Sequence, residues 1–169
     1  MLKRNALPLL VLSIGLTSLT LAGATWASAQ QARRAGSLTF EDYLQIQQLY
    51  SRYYHAIDAA DAAGWAATFT ADGVFNDIKG HDALAAWIER AGPNRPLRHL
   101  HSNLTLTPST EGVSGSVYVV QIDKTAKPLT VASYSRYDDT LVKTPQGWRF
   151  KTRLRSADTT LTPGRSGGQ

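Results

Sequence analysis

The chain of 169 residues contains no cysteine. Disulfides, thiolate nucleophiles, zinc–thiolate sites and a lipidated N-terminal cysteine are therefore excluded. Charged residues make up only 18% of the sequence against 43% hydrophobic residues, a balance typical of a globular protein and not of a disordered one. The 13 glycines and 7 prolines are spread along the chain, which excludes a collagen-like or low-complexity protein. The length suggests one domain.

Several catalytic signatures are also missing. The sequence has no Gly-x-Ser-x-Gly motif and no serine on a predicted strand-to-helix turn, so it does not predict a serine hydrolase. It has no phosphate-binding loop and no dinucleotide-binding glycine pattern either. Any catalysis by the side chains is therefore confined to oxygen and nitrogen acid–base groups.

The first 29 residues have the three parts of a secretory signal peptide. Lys3 and Arg4 form a basic start, residues 6–22 are almost all apolar or small, and Ala27-Ser28-Ala29 is a cleavage signature. The apolar run is short for a membrane span, which takes about 20 residues, so cleavage is favoured over an uncleaved anchor. We expect a periplasmic or secreted protein without stable membrane insertion.

The charge balance changes when the signal peptide is removed. The full chain carries 18 basic and 13 acidic residues, a net charge of +5, and loss of the two basic residues near its start lowers this to +3. So small a charge does not predict a nucleic-acid partner. Arg149, Lys151, Arg153 and Arg155 alternate along a predicted strand, either as a solvated face or as a polyanion site.

The remaining sequence predicts helices first and strands afterwards. Apolar residues recur every three or four positions over residues 40–59, which predicts an amphipathic helix capped by Thr39, and shorter helices are predicted over 62–69 and 81–91. Beyond Pro96 the period is two, and the predicted strands are 98–106, 113–123, 129–143 and 148–156. This order indicates an α+β domain over 39–157, between a flexible leader (30–38) and a disordered tail (158–169).

Asp58 is the first candidate functional residue. The spacing of four places Tyr50, Tyr54 and Asp58 on one side of the first helix. A carboxylate desolvated beside tyrosines is suited to exchange a proton near neutral pH. The alternative is an exposed carboxylate at the helix end or the cap of the next helix.

Two histidines follow on the first long strand. Strict alternation over residues 98–106 predicts two faces, which carry His99, His101, Asn103 and Thr105 on one side and Leu100, Leu104 and Leu106 on the other. The histidines are an acid–base pair, a metal site completed by His55 or His81, or structural residues. The leucines belong to the core or to a subunit interface.

Aromatic residues are numerous. By default they form the core, but an aromatic-lined cone would bind an apolar or aromatic small molecule. They are Trp65, Phe69, Phe75, Trp87, Tyr118, Tyr134, Tyr137 and Trp148.

Five segments in this order resemble the SnoaL-like family. They are residues 49–61 (LYSRYYHAIDAAD), 65–75 (WAATFTADGVF), 98–103 (RHLHSN), 136–142 (RYDDTLV) and 147–150 (GWRF). The likeness covers about residues 40–155. It implies the cone of the nuclear-transport-factor-two-like superfamily, in which a strongly curved antiparallel sheet wraps a pocket that three N-terminal helices close.

The resemblance also implies a kind of chemistry. Relatives include scytalone dehydratase, bile-acid dehydratases, polyketide cyclases and ketosteroid isomerases. The dehydratase-type members use a helix aspartate, a strand histidine and pocket tyrosines without a metal, and these roles fall on Asp58, His99, Tyr53, Tyr54 and Tyr118. His101 departs from many relatives, which have an apolar or small residue there.

We therefore expect a cofactor-independent lyase that acts on a small hydroxylated molecule by dehydration or retro-aldol-type loss. His99, oriented by Asp58, would remove a proton, and Tyr54 or His101 would protonate the leaving oxygen. The expected substrate-binding residues are Tyr50, Tyr53, Trp65, Phe69, Phe75, Asn103, Tyr118, Tyr137 and Arg153. An isomerase or cyclase in the same pocket, or a non-catalytic binding or assembly module, are the alternatives. The resemblance further implies a homodimer or homotrimer.

Overall fold

Helix α1 (Phe40–Ala59) begins at a capping box in the computed structural model, which describes residues 37–93, 96–109 and 111–159. The Thr39 hydroxyl accepts a hydrogen bond from the Asp42 backbone N–H at 3.0 Å, and one Asp42 carboxylate oxygen accepts from the Thr39 N–H at 3.2 Å. The other carboxylate oxygen accepts from Lys143 at 2.7 Å and from the Trp148 indole at 3.0 Å. One carboxylate thus starts the helix and ties it to a distant hairpin.

Two shorter helices follow α1 in the described part of the chain, α2 (Ala62–Ala66) and α3 (His81–Ala91). The carboxylate of Asp61 caps α2 by accepting from the Gly64 N–H at 2.9 Å. The prediction that this helix continues to Phe69 is wrong, because Phe69 begins strand β1 (Phe69–Phe75) beside the last strand of the sheet.

Six strands within the described residues form one curved, unclosed sheet. After β1 they are β2 (Ile78–Lys79), β3 (Leu97–Ser109), β4 (Gly112–Asp123), β5 (Thr130–Thr144) and β6 (Gly147–Thr159). Their order is β2-β1-β6-β5-β4-β3, and every neighbouring pair is antiparallel except β1–β6, which is parallel. The predicted α+β fold with three helices is confirmed. The sheet is antiparallel as predicted except between β1 and β6, which pair in parallel.

Strand β3 contains a bulge of one residue. Ser102 pairs with Tyr118 and Thr105 pairs with Ser116, so three steps along β3 correspond to two steps along β4. Asn103 lies in this interval with a φ of 56°, in the left-handed region that asparagine tolerates better than most residues.

The bulge decides which β3 side chains face the helices. His99 is buried before the bulge, and Leu104 and Leu106 pack against the core after it. Leu100 is 56% exposed on the opposite face. The prediction that the three leucines share one face is therefore wrong, because the extra residue reverses the alternation between Leu100 and Leu104.

Helices and the inner sheet face enclose a single core. Its fully buried members include Ile46, Leu49, Tyr50, Trp65, Leu84, Ile88, Leu141 and Phe150. Among the described residues, none of the helices combines the length and apolar character that crossing a membrane requires. The predicted signal peptide, most of the leader and residues 160–169 of the predicted tail lie outside the described residues, while residues 158 and 159 belong to β6.

Candidate active site

Asp58 on α1 and His99 on β3 form a hydrogen-bonded pair. Oδ1 of Asp58 lies 2.6 Å from Nδ1 of His99, and Oδ2 of Asp58 accepts from the His99 backbone N–H at 3.2 Å. The two side chains are 14% and 2% exposed, respectively. Since both carboxylate oxygens contact His99, the carboxylate fixes the position and the orientation of the ring.

The other ring nitrogen of His99 is also held. Nε2 of His99 lies 2.7 Å from Nε2 of Gln121, and the Ser133 hydroxyl donates to Oε1 of Gln121 at 2.5 Å. The sheet register pairs His99 directly with Gln121 and Gln121 directly with Ser133. Three neighbouring strands therefore place three polar side chains in a row that ends at the imidazole.

A cavity of about 130 Å³ lies beside His99 and Gln121. A cavity of about 150 Å³ holds a benzene molecule in another protein, so this space is suited to a single small ring. Its remaining lining combines apolar and polar side chains, namely Ile57, Phe75, Ile78, Trp87, Tyr137, Asn76, Asp77 and Arg155.

Tyr54 stacks on both histidines. Its ring centroid lies 5.8 Å from that of His99 and 4.9 Å from that of His101. Burial raises the pKa of Tyr54 well above its usual range, although the neighbouring Arg153 charge opposes this, and the Arg153 guanidinium donates to the Tyr54 hydroxyl at 2.6 Å. Burial, with a smaller effect of Arg153, lowers the pKa of the half-buried His101. Tyr54 thus lies against both histidine rings, and neither Tyr54 nor His101 is among the described residues that line the cavity.

Arg153 lies in the core behind the site. It is fully buried, its Nη1 lies 3.3 Å from Oδ2 of Asp139, and its guanidinium carbon lies 4.2 Å from the ring centroid of Tyr53 and 4.5 Å from that of Tyr137. Tyr50 donates to the same Asp139 oxygen at 2.6 Å. Burial raises the pKa of Asp139 to about 6, against the opposing influence of Arg153 and Tyr50.

The structure brings together the four predicted catalytic residues, Asp58, His99, Tyr54 and His101. Two of the predicted binding residues, Phe75 and Tyr137, line the cavity. Five others lie in the core behind it, namely Tyr50, Tyr53, Trp65, Phe69 and Arg153.

Two predicted binding residues lie away from the cavity. Asn103 is exposed at the bulge of β3. Tyr118 alternates with the buried Val117 and Val119, so it points to the outer face of the sheet, where it stacks on Tyr134 with 5.5 Å between ring centroids.

Gln121 and Ser133 were not predicted as site residues from the sequence. Their signal is the cross-strand register, which pairs them with His99. The alternative of a metal site with His55 or His81 finds no counterpart, because the described residues contain no group of three His, Asp or Glu side chains placed to hold a metal ion. His81 instead lies 3.1 Å from the Phe69 carbonyl oxygen through its Nε2.

Comparison with known proteins gives both a family and a fold. A model of the SnoaL-like domain matches residues 39–154. A protein of unknown function from Mycobacterium tuberculosis, solved as a single-residue variant, is 29% identical, with a TM-score of 0.66 over 72% of this chain and 75% of that one. A search of curated proteins found no match.

Two further solved structures are similar. A protein from Catenulispora acidiphila, solved in complex with S-DNPA, is 26% identical, with a TM-score of 0.61 over 69% of this chain and 92% of that one. An NTF2-like protein with a cystatin-like fold from Novosphingobium aromaticivorans is 23% identical, with a TM-score of 0.64 over 87% and 95%, and it supports the fold alone. The predicted resemblance is thereby confirmed: the chain belongs to the SnoaL-like family, and it has the fold of an NTF2-like protein.

Proposed function

We propose that this protein is a cofactor-independent lyase that removes a proton from a small hydroxylated molecule and expels a neighbouring group. The observation that supports this most is the 2.6 Å contact between Asp58 and His99 at the polar wall of the cavity. In such a pair the carboxylate orients the ring and stabilises the imidazolium, which leaves Nε2 to accept the proton. The SnoaL-like family includes polyketide cyclases and dehydratases, which agrees with acid–base chemistry.

Dehydration of a β-hydroxy ketone illustrates the reaction. Nε2 of His99 takes the proton from the carbon between the two oxygen-bearing carbons, and the electron pair moves to the carbonyl oxygen. When the carbonyl re-forms, a carbon–carbon double bond forms and the carbon–oxygen bond to the hydroxyl breaks. His99 returns its proton to the departing oxygen, so the products are an enone and water, and the imidazole is neutral again.

Tyr137 is the proposed donor to a substrate oxygen during this step. It lines the cavity, and burial raises the pKa of its phenol, opposed by the nearby Arg153 and Arg155 charges. A phenol that stays protonated donates a hydrogen bond to developing negative charge. Retro-aldol cleavage needs the same groups, with His99 taking a hydroxyl proton instead.

The cavity supports a small and partly apolar substrate. Phe75, Ile78 and Trp87 supply apolar surface, whereas His99 and Gln121 supply hydrogen-bonding groups on one side. This combination is common in small-molecule sites. We therefore propose single-ring hydroxylated ketones or aromatics as the substrate class.

We also propose that the protein acts outside the cytoplasm as a homodimer or homotrimer. The signal peptide predicted from residues 1–29 supports the location. Leu100 and Leu154, which are 56% and 51% exposed, support an interface on the sheet.

A binding module without chemistry is the second candidate. Gln121 lies 2.7 Å from the Nε2 atom that His99 needs as a base, and this favours a protein that only binds its ligand. An isomerase or cyclase would use the same residues, and analysis of the products distinguishes it from a lyase.

The test uses 3-hydroxycyclopentanone and a panel of single-ring hydroxylated aromatics, with products identified by NMR. We expect the enone to form from 3-hydroxycyclopentanone, and we expect His99→Ala to lower turnover by about 10²–10⁴-fold. His55→Ala is the matched control, because His55 is exposed on α1. Turnover by His99→Ala equal to that of the wild type would reject the assignment, and binding without turnover would favour the binding module.

A further inference from the structure

Four side chains form a row, Ser133–Gln121–His99–Asp58, whose hydrogen bonds determine which ring nitrogen of His99 carries the proton. It crosses β5, β4 and β3 and ends on α1, with hydrogen-bonding distances of 2.5, 2.7 and 2.6 Å between successive side chains. The sheet register places the first three directly opposite one another. Each group in the row therefore limits what its neighbour can donate or accept.

The direction of the hydrogen bonds follows from the orientation of the Gln121 amide, whose oxygen faces Ser133 and whose nitrogen faces His99. The Ser133 hydroxyl donates to Oε1 of Gln121, which turns the amide NH₂ towards His99. An amide nitrogen donates and does not accept, so Nε2 of His99 must accept. The proton of the neutral ring then sits on Nδ1, and this N–H donates a hydrogen bond to Oδ1 of Asp58.

We propose that Ser133 and Gln121 are positioning residues that hold His99 as the Nδ1–H tautomer, and that Gln121 binds a substrate oxygen through its second N–H. The amide carries two hydrogens, and one of them points to His99. Among the described residues the amide nitrogen has no other protein acceptor, and Gln121 lines the cavity. A ligand oxygen in the cavity is the available partner.

The same amide links substrate binding to the base. While it donates to Nε2 of His99, it covers the lone pair that accepts the substrate proton. A substrate oxygen that draws the amide towards the cavity exposes this lone pair and places the amide N–H beside the developing enolate. This role rests on the proposed function, and it specifies a substrate whose acceptor oxygen is bonded to the carbon next to the one that loses its proton.

The tautomer is tested on the ligand-free protein by ¹⁵N NMR of the imidazole groups. The chain has four histidines, so comparison with His99→Ala assigns the His99 signals. We expect the Nδ1–H tautomer in the wild type. In Ser133→Ala the amide is released to turn over, and we expect a mixture of tautomers or exchange broadening at His99.

Gln121→Glu provides a second and independent readout. A carboxylate at this position accepts a hydrogen bond from the protonated Nε2 and stabilises the imidazolium, so we expect His99 to remain doubly protonated to a higher pH than in the wild type. Gln48→Leu, an exposed position on α1, is the control and should leave the His99 signals unchanged. An Nε2–H tautomer in the wild type, or unchanged His99 signals in both Ser133→Ala and Gln121→Glu, would overturn the positioning role. Because no substrate is present, this result does not depend on the lyase assignment.

The oxygen site is tested with cyclopentanone, a small ring whose carbonyl oxygen only accepts. We expect its addition to shift the Gln121 side-chain amide signals of the wild type, and we expect Gln121→Leu to bind it more weakly. If lyase activity is found, Gln121→Leu should lower kcat by about 10²-fold through loss of the donor. Absence of a shift at Gln121, or equal binding by Gln121→Leu, would overturn the oxygen site even if the protein is a lyase.

Discussion

His99 and Gln121 face each other across the β3–β4 pair, with 2.7 Å between their Nε2 atoms. The bulge in β3 creates this pairing. If the register that starts with Ser109 opposite Gly112 continued without the bulge, His99 would lie opposite Ile122. One extra residue therefore selects the side chain that contacts the base, and it does so without any direct contact with the cavity.

The bulge gives a prediction about two leucines. Leu104→Ala should lower the free energy of unfolding by about 1–3 kcal/mol, because this half-buried side chain packs against the core. Leu100→Ala is the matched control and should change it by less than about 0.5 kcal/mol, because Leu100 is 56% exposed. Urea denaturation of both variants measures the difference. Equal losses would mean that the alternation of β3 is uninterrupted.

Asp42 gives a prediction about acid stability. Its hydrogen bond from Lys143 is the largest of the contacts that hold the pKa of Asp42 far below its usual range, and contacts to Thr39 and Trp148 add to it. A lowered pKa in the folded state stabilises the protein above the ordinary carboxyl pKa of about 4, and this contribution is lost as the pH falls towards the folded-state value.

Asp42→Asn should therefore destabilise the fold by about 1–2 kcal/mol at neutral pH, through loss of the cap and of the ionic contact. Its stability should fall less steeply below about pH 4 than that of the wild type. Asp82→Asn, in the exposed first turn of α3, is the control. Parallel stability curves for Asp42→Asn and the wild type below this pH would contradict the role of the carboxylate.

The buried pair of Asp139 and Arg153 gives a pH dependence of the opposite sign. Burial raises the pKa of Asp139 to about 6, so the folded state binds a proton that the unfolded state has already lost. This contribution to stability is complete below about pH 4 and disappears as the pH rises through about 6. In the wild type we expect a downward slope of stability over this interval, and Asp139→Leu/Arg153→Met should lack it.

The same pair tests whether Arg153 needs its partner. Asp139→Asn leaves a buried guanidinium without a counter-charge, which should cost about 3–5 kcal/mol at neutral pH. The double variant Asp139→Leu/Arg153→Met should be more stable than Asp139→Asn, because it buries no charge. Calorimetric or urea unfolding measures both. A double variant less stable than Asp139→Asn would show that the aromatic rings around Arg153 require its charge.

Local patterns predicted much of the fold and part of the site. Thr39 and the spacing of apolar residues located α1, and the spacing of Tyr50, Tyr54 and Asp58 placed them on one side of it. The partner of Asp58 could be predicted as His99 because the resemblance relates a helix aspartate to a strand histidine.

Longer-range features could not be predicted in this way. The bulge at Asn103 changes the register by one residue, and no local sequence pattern predicts where in the strand this extra residue lies. The contact of Gln121 with His99 depends on that register. Packing between distant elements also buries Arg153 among aromatic rings and sets the sheet face on which Tyr118 lies. Local sequence patterns therefore do not predict either position.

His99, held by Asp58, is the proposed base that removes a proton from a ligand in the cavity. The most direct measurement is the rate at which the protons beside the carbonyl of cyclopentanone exchange in deuterated water, followed by NMR. We expect the wild type to accelerate this exchange. We expect His99→Ala and Asp58→Asn to lower the acceleration by about 10²-fold or more, whereas His55→Ala should retain it. Exchange by His99→Ala at the wild-type rate would contradict the role of His99 as the base.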